Sequence, residues 1–330
     1  FSSETVAVPP VGDQLTQATR RLAAVSSSNY GYFAGGTVSA QVTTINRIDF
    51  SSETVVGPPT HGANLTQARL NLGAVSSPDY GYFAAGNAPP YVNTIDRLDF
   101  SNETTSAPGN NLLQTRSGPA ATSNSNYGYF AGGFSPPYID IINRLDFSNE
   151  IVSAPGNNLP QARADFAAVS GGTKINARGV RKGTDIDGKA ISSTYGYHIG
   201  GSPPSNMYKV LKRDYSTETI SSADNLPRAR LTASLILNRN YAYISGATPI
   251  PGTYEQCTID RLDFSNDTVA AFGLMPEKKG DGMTVATSSY GYYCGGKTNN
   301  TGGADPASTV IDRLDFATEV TTSPTHLLTE

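Results

Sequence analysis

One phrase occurs six times along this chain. Tyr30-Gly31-Tyr32-Phe33-Ala34-Gly35-Gly36 returns, with substitutions, at Tyr80, Tyr127, Tyr195, Tyr241 and Tyr290, at spacings of 50, 47, 68, 46 and 49 residues. A second phrase, Thr94-Ile95-Asp96-Arg97-Leu98-Asp99-Phe100, lies between the copies and is matched by segments ending at Phe50, Phe147, Tyr215, Phe264 and Phe316. A unit of this size, made of short apolar runs and glycine turns, buries its faces only against neighbouring units. That is the pattern of a β-propeller blade array. The fold expected is all-β, a six-bladed β-propeller of four-stranded blades forming a single domain over residues 1–330. The repeats run over about 22–323, with outer-strand-like segments at 1–21 and 317–330.

The second copy shows how one unit divides. Leu70 to Ser76 reads as strand a, Tyr80 to Ala85 as b, Thr94 to Phe100 as c and Glu103 to Ala107 as d. Ser77-Pro78-Asp79, Asn87-Ala88-Pro89-Pro90 and Ser101-Asn102 supply the intervening turns. Strand c alternates with period two, so Arg97 and Asp99 share a face that meets a neighbouring blade. Half-buried charges need partners. The recurring pairs Arg47/Asp49, Arg97/Asp99, Arg144/Asp146, Lys212/Asp214, Arg261/Asp263 and Arg313/Asp315 are therefore expected to form an ion-pair and hydrogen-bond ladder between blades. The glycine pairs closing strand b are expected to permit close backbone approach or a positive φ before the b–c loop. Gly128 and Gly196, inside their Tyr-Gly-Tyr triplets, imply tight contact with a ring across the blade interface.

Strand b ending in Gly-Gly (Tyr127 to Gly133), an aromatic closing strand c after an acid (Asp146-Phe147), and Leu159-Pro160-Gln161-Ala162-Arg163 before the next strand a together resemble the kelch repeat. The kelch outer strand usually carries a Trp, and this chain has none. The wording Tyr-Gly-Tyr-Phe-Ala-Gly-Gly with Arg-Leu-Asp-Phe-Ser-Asn-Glu-Thr also resembles repeat proteins encoded by marine bacteriophages and some aquatic bacteria. That resemblance implies a virion or extracellular setting. It also implies a structural or adhesive role, as in a phage tail, fibre or surface appendage, whose partners are other virion or appendage proteins.

Charge and composition exclude several classes. Net charge is −4 with no basic block, which gives no electrostatic footprint for nucleic acid. No apolar run approaches the roughly 18 residues that suggest a membrane-spanning helix. Cys257 and Cys294 read as ordinary thiols in separate repeats. The Asn-x-Thr sequons at Asn64, Asn102, Asn266 and Asn299 are explained by turn chemistry outside a eukaryotic secretory host. His61, His198 and His326 fall at unrelated repeat positions, and no nucleophile elbow is present, so an enzyme is not expected. Phe1 stands where the second phrase ends and no signal peptide is recognised, so the chain reads as a piece of a longer or processed polypeptide. Seven outer-strand phrases for six blades leave one segment to extend toward another subunit or lead into a further domain.

Three candidate sites follow. The b–c loops carry Tyr91, Tyr138, Tyr208 and Tyr254, and the d–a loops of the same face carry Arg69, Arg116, Arg163 and Arg230. Tyr rings beside Arg suit a sugar, which makes a carbohydrate-binding lectin of cell-surface glycans the alternative reading. The structural counter-reading has the Tyr rings capping blade ends and the Arg residues bracing loops. The inserted loop 171–193 carries Arg178, Arg181 and Lys182 for a partner. It also carries Asp185 and Asp187 in an Asp-x-Asp-Gly fragment of the kind found in calcium loops. No other cofactor is expected. A glycan-processing hydrolase is the third reading, and it lacks a convergent acid pair, Asp165 being the notable acid near the inner strands.

Overall fold

A computed structural model of the chain describes residues 19–49, 55–57, 63–171, 194–202, 208–231, 233–238, 240–245, 257–276, 283–286, 290–294 and 311–322. Its architecture is an all-β propeller of antiparallel sheets. Each sheet is a meander of four consecutive strands, and six such sheets are present. The first comprises Ala23–Ser26, Tyr30–Ala34, Ile45–Asp49 and Val55–Val56. The second comprises Gly73–Ser76, Tyr80–Asn87, Tyr91–Asp99 and Thr105–Ser106. In the second sheet, strands b and c run further toward each other than the Pro-Pro turn suggested, because Gly86 and Asn87 continue pairing with Val92 and Tyr91 beyond an irregularity at Ala85.

The outer strands are short. Those of the first, second, third and sixth sheets have two residues each, Val55–Val56, Thr105–Ser106, Val152–Ser153 and Thr321–Thr322. The fourth and fifth sheets end in six-residue strands, Ile220–Asn225 and Val269–Leu274. Short outer edges protect against strand-to-strand aggregation. The closing segment of the chain pairs within its own sixth sheet, Leu314 opposite Thr321 and Arg313 opposite Thr322. The competing opening segment, Ser2 to Val8, lies outside the described residues.

Seams between consecutive sheets hold the apolar cores. Tyr32, Phe83, Leu98 and Val25 pack between the first and second sheets, and Tyr82, Phe130, Leu145 and Val75 between the second and third. Equivalent clusters continue to the sixth sheet. Most seams need a glycine in the aromatic-Gly-aromatic triplet, with Ala242 in its place in the fifth sheet. A Cβ on Gly81 would lie 2.6 Å from Val25 of the preceding sheet, and one on Gly128 would lie 2.6 Å from Val75. The aromatic neighbour of these glycines belongs to their own sheet (Phe100 and Phe147), so the partner across the seam is an aliphatic side chain rather than the ring expected. Among the described residues consecutive sheets meet at five such seams. The propeller architecture therefore agrees with the sequence reading, whereas five seams do not match a count of six closed blades.

The innermost strands surround a channel of about 330 Å³. Its wall includes Ala24, Ala74, Ala121, Ala168, Leu235 and Thr284, one residue from the first strand of each of the six sheets. Asp165 lies just before strand a of the fourth sheet, is exposed and has φ 52°. The wall itself carries small and apolar side chains with Ser234 and Thr284 as its hydroxyls.

Candidate functional site

The repeated charges form a latch on the face where the c–d turns emerge. Arg97 of the second sheet bonds both oxygens of Glu150 in the third, at 3.0 and 3.1 Å. Arg47 reaches Glu103 at 2.7 Å, Arg144 reaches Glu218 at 2.6 Å, Lys212 reaches Asp267 at 2.7 Å and Arg261 reaches Glu319 at 2.8 Å. The same carboxylate accepts a phenol from the preceding sheet: Tyr32 to Glu103 and Tyr82 to Glu150 at 3.0 Å, Tyr197 to Asp267 at 2.6 Å. The base then lies over a tyrosine of its own sheet, Arg97 at 4.7 Å from the Tyr80 centroid and Lys212 at 3.8 Å from that of Tyr195. Finally the second tyrosine stacks on the aromatic that closes strand c of the following sheet, Tyr82 on Phe147 at 5.5 Å and Tyr32 on Phe100 at 5.4 Å. Burial and then the carboxylate push the Tyr82 phenol far above its ordinary value. Burial is the largest single influence on Arg97 and lowers it, but the bond to Glu150, the charge of that carboxylate and the neighbouring phenols together outweigh it and hold the guanidinium above its usual value.

This corrects the expected ladder. The charges do bridge sheets, but the acid of the strand-c pair is not the partner. Asp99 accepts the amide and hydroxyl of Ser101 at 2.8 and 2.7 Å, and Asp146, Asp214 and Asp263 do the same for Ser148, Ser216 and Ser265. These aspartates cap their own c–d turns, and the turn bonds hold Asp99 and Asp214 below the usual carboxylate range. The acid that crosses the seam sits three residues after the closing aromatic. It has left-handed backbone in every described copy: φ is 56° at Glu103, 58° at Glu150, 57° at Glu218, 62° at Asp267 and 57° at Glu319. Sequence reasoning missed it although Ser-x-Glu-Thr recurs, because only the stagger of adjacent sheets brings that turn beneath the Arg.

A second latch lies on the opposite face. The second glycine of each pair donates its amide to the carbonyl of an arginine in the next sheet: Gly36 to Arg69 at 2.8 Å, Gly133 to Arg163 at 2.8 Å, Gly201 to Arg230 at 3.0 Å. Gly86 does the same for Arg116 at 2.9 Å. All four glycines have positive φ, as the sequence reading anticipated.

Those arginines were placed with the loop-face ligand residues, and they are interior posts instead. Arg69, Arg116 and Arg230 are 0% exposed and Arg163 is 1% exposed. Arg69 pairs with Asp96 at 2.9 Å and Arg230 with Asp260 at 2.7 Å. Arg116 meets the neutral Asn143 at 3.0 Å and the carbonyls of Gly132 and Ile141, and Arg163 bonds the Gly200 carbonyl at 3.1 Å. Burial lowers both Arg116 and Arg163 to about 10. A guanidinium is ionised even so.

The tyrosines divide. Tyr138 shares a hydrogen bond with Ser202 of the next sheet at 2.8 Å, and its ring meets Phe134, which in turn meets Tyr91 of the sheet before. Tyr91 and Tyr138 thus brace a half-buried aromatic rim across three sheets, while Tyr208 is 45% exposed. Tyr254 lies outside the described residues, as do Arg178, Arg181, Lys182, Asp185 and Asp187 of the inserted loop. Cys257 is a free, half-buried thiol. Among the described residues no three His, Cys, Asp or Glu side chains converge to hold a metal ion, and no helix is long and apolar enough to cross a membrane. His198 replaces the strand-b Phe as a packed substitute, fully buried beside the Phe166 ring at 5.8 Å. No protein-family model and no curated protein matches the chain.

Proposed function

We propose that the chain is a six-bladed, kelch-like propeller that serves as a structural or adhesive module rather than a catalyst, acting through contacts with other proteins or with a surface. The observation that carries this reading is the use of its charges. The repeated Arg, Glu and Tyr residues join sheet to sheet, and among the described residues the channel wall is lined by small and apolar side chains with Ser234 and Thr284. A part built this way resists deformation and presents its loops on a stiff frame. Closure into six blades is supported by the channel, to which all six inner strands contribute. The sequence agrees with closure: Glu53, outside the described residues, stands three residues after Phe50, as Glu103 does after Phe100 and Glu150 after Phe147. The resemblance of the repeat wording to repeat proteins of marine bacteriophages and some aquatic bacteria supports a setting in a virion, as a phage tail or fibre component, or in an extracellular appendage.

The aromatic rim of Tyr91, Phe134 and Tyr138, with the exposed Tyr208, favours one alternative, a glycan-binding lectin. Two measurements separate the readings. Light scattering of the purified chain across concentration is expected to show self-association, or capture by a co-encoded structural protein. A strict monomer that binds defined sugars on a glycan array, with binding lost in Tyr138→Ala and Tyr208→Ala, refutes the structural reading and supports the lectin.

A further inference from the structure

One seam departs further from the common pattern than the others. Between the third and fourth sheets, four positions that are apolar elsewhere are polar. Arg213 stands where other sheets bury Leu98, Leu145, Leu262 and Leu314, and His198 stands where the second and third sheets bury Phe83 and Phe130. Tyr215 replaces the phenylalanine that closes strand c, and Thr122 replaces the aliphatic residue represented by Val25, Val75 and Ile236.

Two of these changes compensate each other. The Tyr215 hydroxyl shares hydrogen bonds with Thr122 at 2.7 Å and Ser170 at 3.0 Å, and it occupies the space that Gly196 leaves open. The other two do not. Both ring nitrogens of His198, and all three guanidinium nitrogens of Arg213, are buried without a hydrogen-bond partner. Arg213 lies 4.5 Å from the Tyr129 centroid, and its nearest carboxylate oxygen, on Glu218, is 3.7 Å away. Glu218 is already committed to Arg144 at 2.6 Å and to the Tyr129 hydroxyl at 3.2 Å. One carboxylate thus serves two arginines here, where each other described latch has one base for one acid.

Buried polar groups without partners cost free energy that water recovers when it enters. Other parts of the ring also bury polar atoms without a hydrogen-bond partner, on Arg69, Arg116, Asn143 and Tyr293. There one or two atoms of a side chain are affected, whereas His198 and Arg213 lack a partner at every side-chain nitrogen, so opening another seam exposes mostly hydrocarbon and recovers less. We infer that the seam between the third and fourth sheets is the line along which the propeller opens first, a hinge built into the ring. The seam between the fifth and sixth sheets is the nearest rival, since Tyr293 sits at the His198 position opposite the buried Asp312, but it keeps Leu314 where Arg213 stands and so adds no buried guanidinium there.

Native-state hydrogen exchange on the full chain, read by peptide mass spectrometry, tests this. Amides in Ala120–Ser123 and Ala167–Gly171 should exchange at least about tenfold faster than those in Gly73–Ser76 and Ser234–Leu237. In a chain carrying Arg213→Leu and His198→Phe, that difference should shrink about tenfold with the remaining seams unchanged. Uniform exchange, faster opening at another seam, or an unaltered pattern in the variant overturns the inference. The unmodified chain decides the question even if the double variant does not fold, and Arg213→Met alone supplies a milder version of the same comparison.

Discussion

Replacing Glu150 isolates what one latch is worth. Its carboxylate takes two bonds from Arg97 and one from Tyr82, and the Arg97 and Glu150 side chains are 29% and 19% exposed. Truncation to Ala leaves a half-buried guanidinium and a phenol without their acceptor. Charge-assisted bonds of this kind are worth about 1.5–3 kcal/mol, and partial solvent screening puts the expected loss near the lower end, at about 2 kcal/mol. Glu150 also has φ 58°, a conformation that strains any side chain with a Cβ by about 1 kcal/mol or more. Glu150→Gly loses the same bonds but sheds that strain, so its net cost should be only about 1 kcal/mol. For a domain of this size these values correspond to Tm decreases of roughly 3 °C for Ala and about 1.5 °C for Gly. Thermal unfolding followed by circular dichroism, repeated for Arg97→Met alone and with Glu150→Ala, completes a double-mutant cycle. The expected coupling is about 1 kcal/mol. Additive effects, or a Gly variant no better than the Ala variant, would refute the latch as the source of cohesion between sheets.

Gly128→Ala should destabilise by about 1–3 kcal/mol, because the added methyl meets Val75 across the seam, and Val75→Ala in the same chain should recover part of the loss in urea titrations. Arg69→Met strands Asp96 in the interior and should cost about 3–5 kcal/mol, whereas Arg116→Met faces neutral Asn143 and should be far milder. His198 makes the fold acid-sensitive. Burial first, then Arg213 and Arg163, lower it to about 3, so above its unfolded value near 6.5 both states hold it neutral and it contributes nothing. Below pH 6.5 the unfolded chain takes a proton that the folded chain refuses, and stability falls by up to about 1.4 kcal/mol per pH unit. His198→Phe should flatten that part of the stability–pH curve; an unchanged slope would remove His198 as its cause.

The repeat made the architecture readable because period-two alternation, glycine turns and unit length all act locally. Strand order and the positive φ of the closing glycines follow from those signals. Contacts across seams were not readable in the same way. Arg97 and Asp99 look like partners because they share a face, yet Asp99 finds its own turn first, through Ser101 two residues away. The true partner, Glu150, is 53 residues along the chain and is selected by the stagger of two sheets. The conserved-looking arginines of the d–a loops were misplaced for a similar reason. A long side chain in a loop between turn residues resembles a surface group, and only the packed structure reveals that Arg69 and Arg230 turn inward to buried aspartates. The polar seam did announce itself in part, through His198 and Tyr215, but its meaning depended on Arg213 facing Tyr129.

A crystallographic density map viewed along the channel tests the central proposal most directly. Six four-stranded blades around one closed channel, with Arg313 of the last blade meeting Glu53 of the first as Arg97 meets Glu150, is the predicted result. A five-bladed ring with one sheet displaced, or a gap where the first and sixth sheets should join, would contradict it.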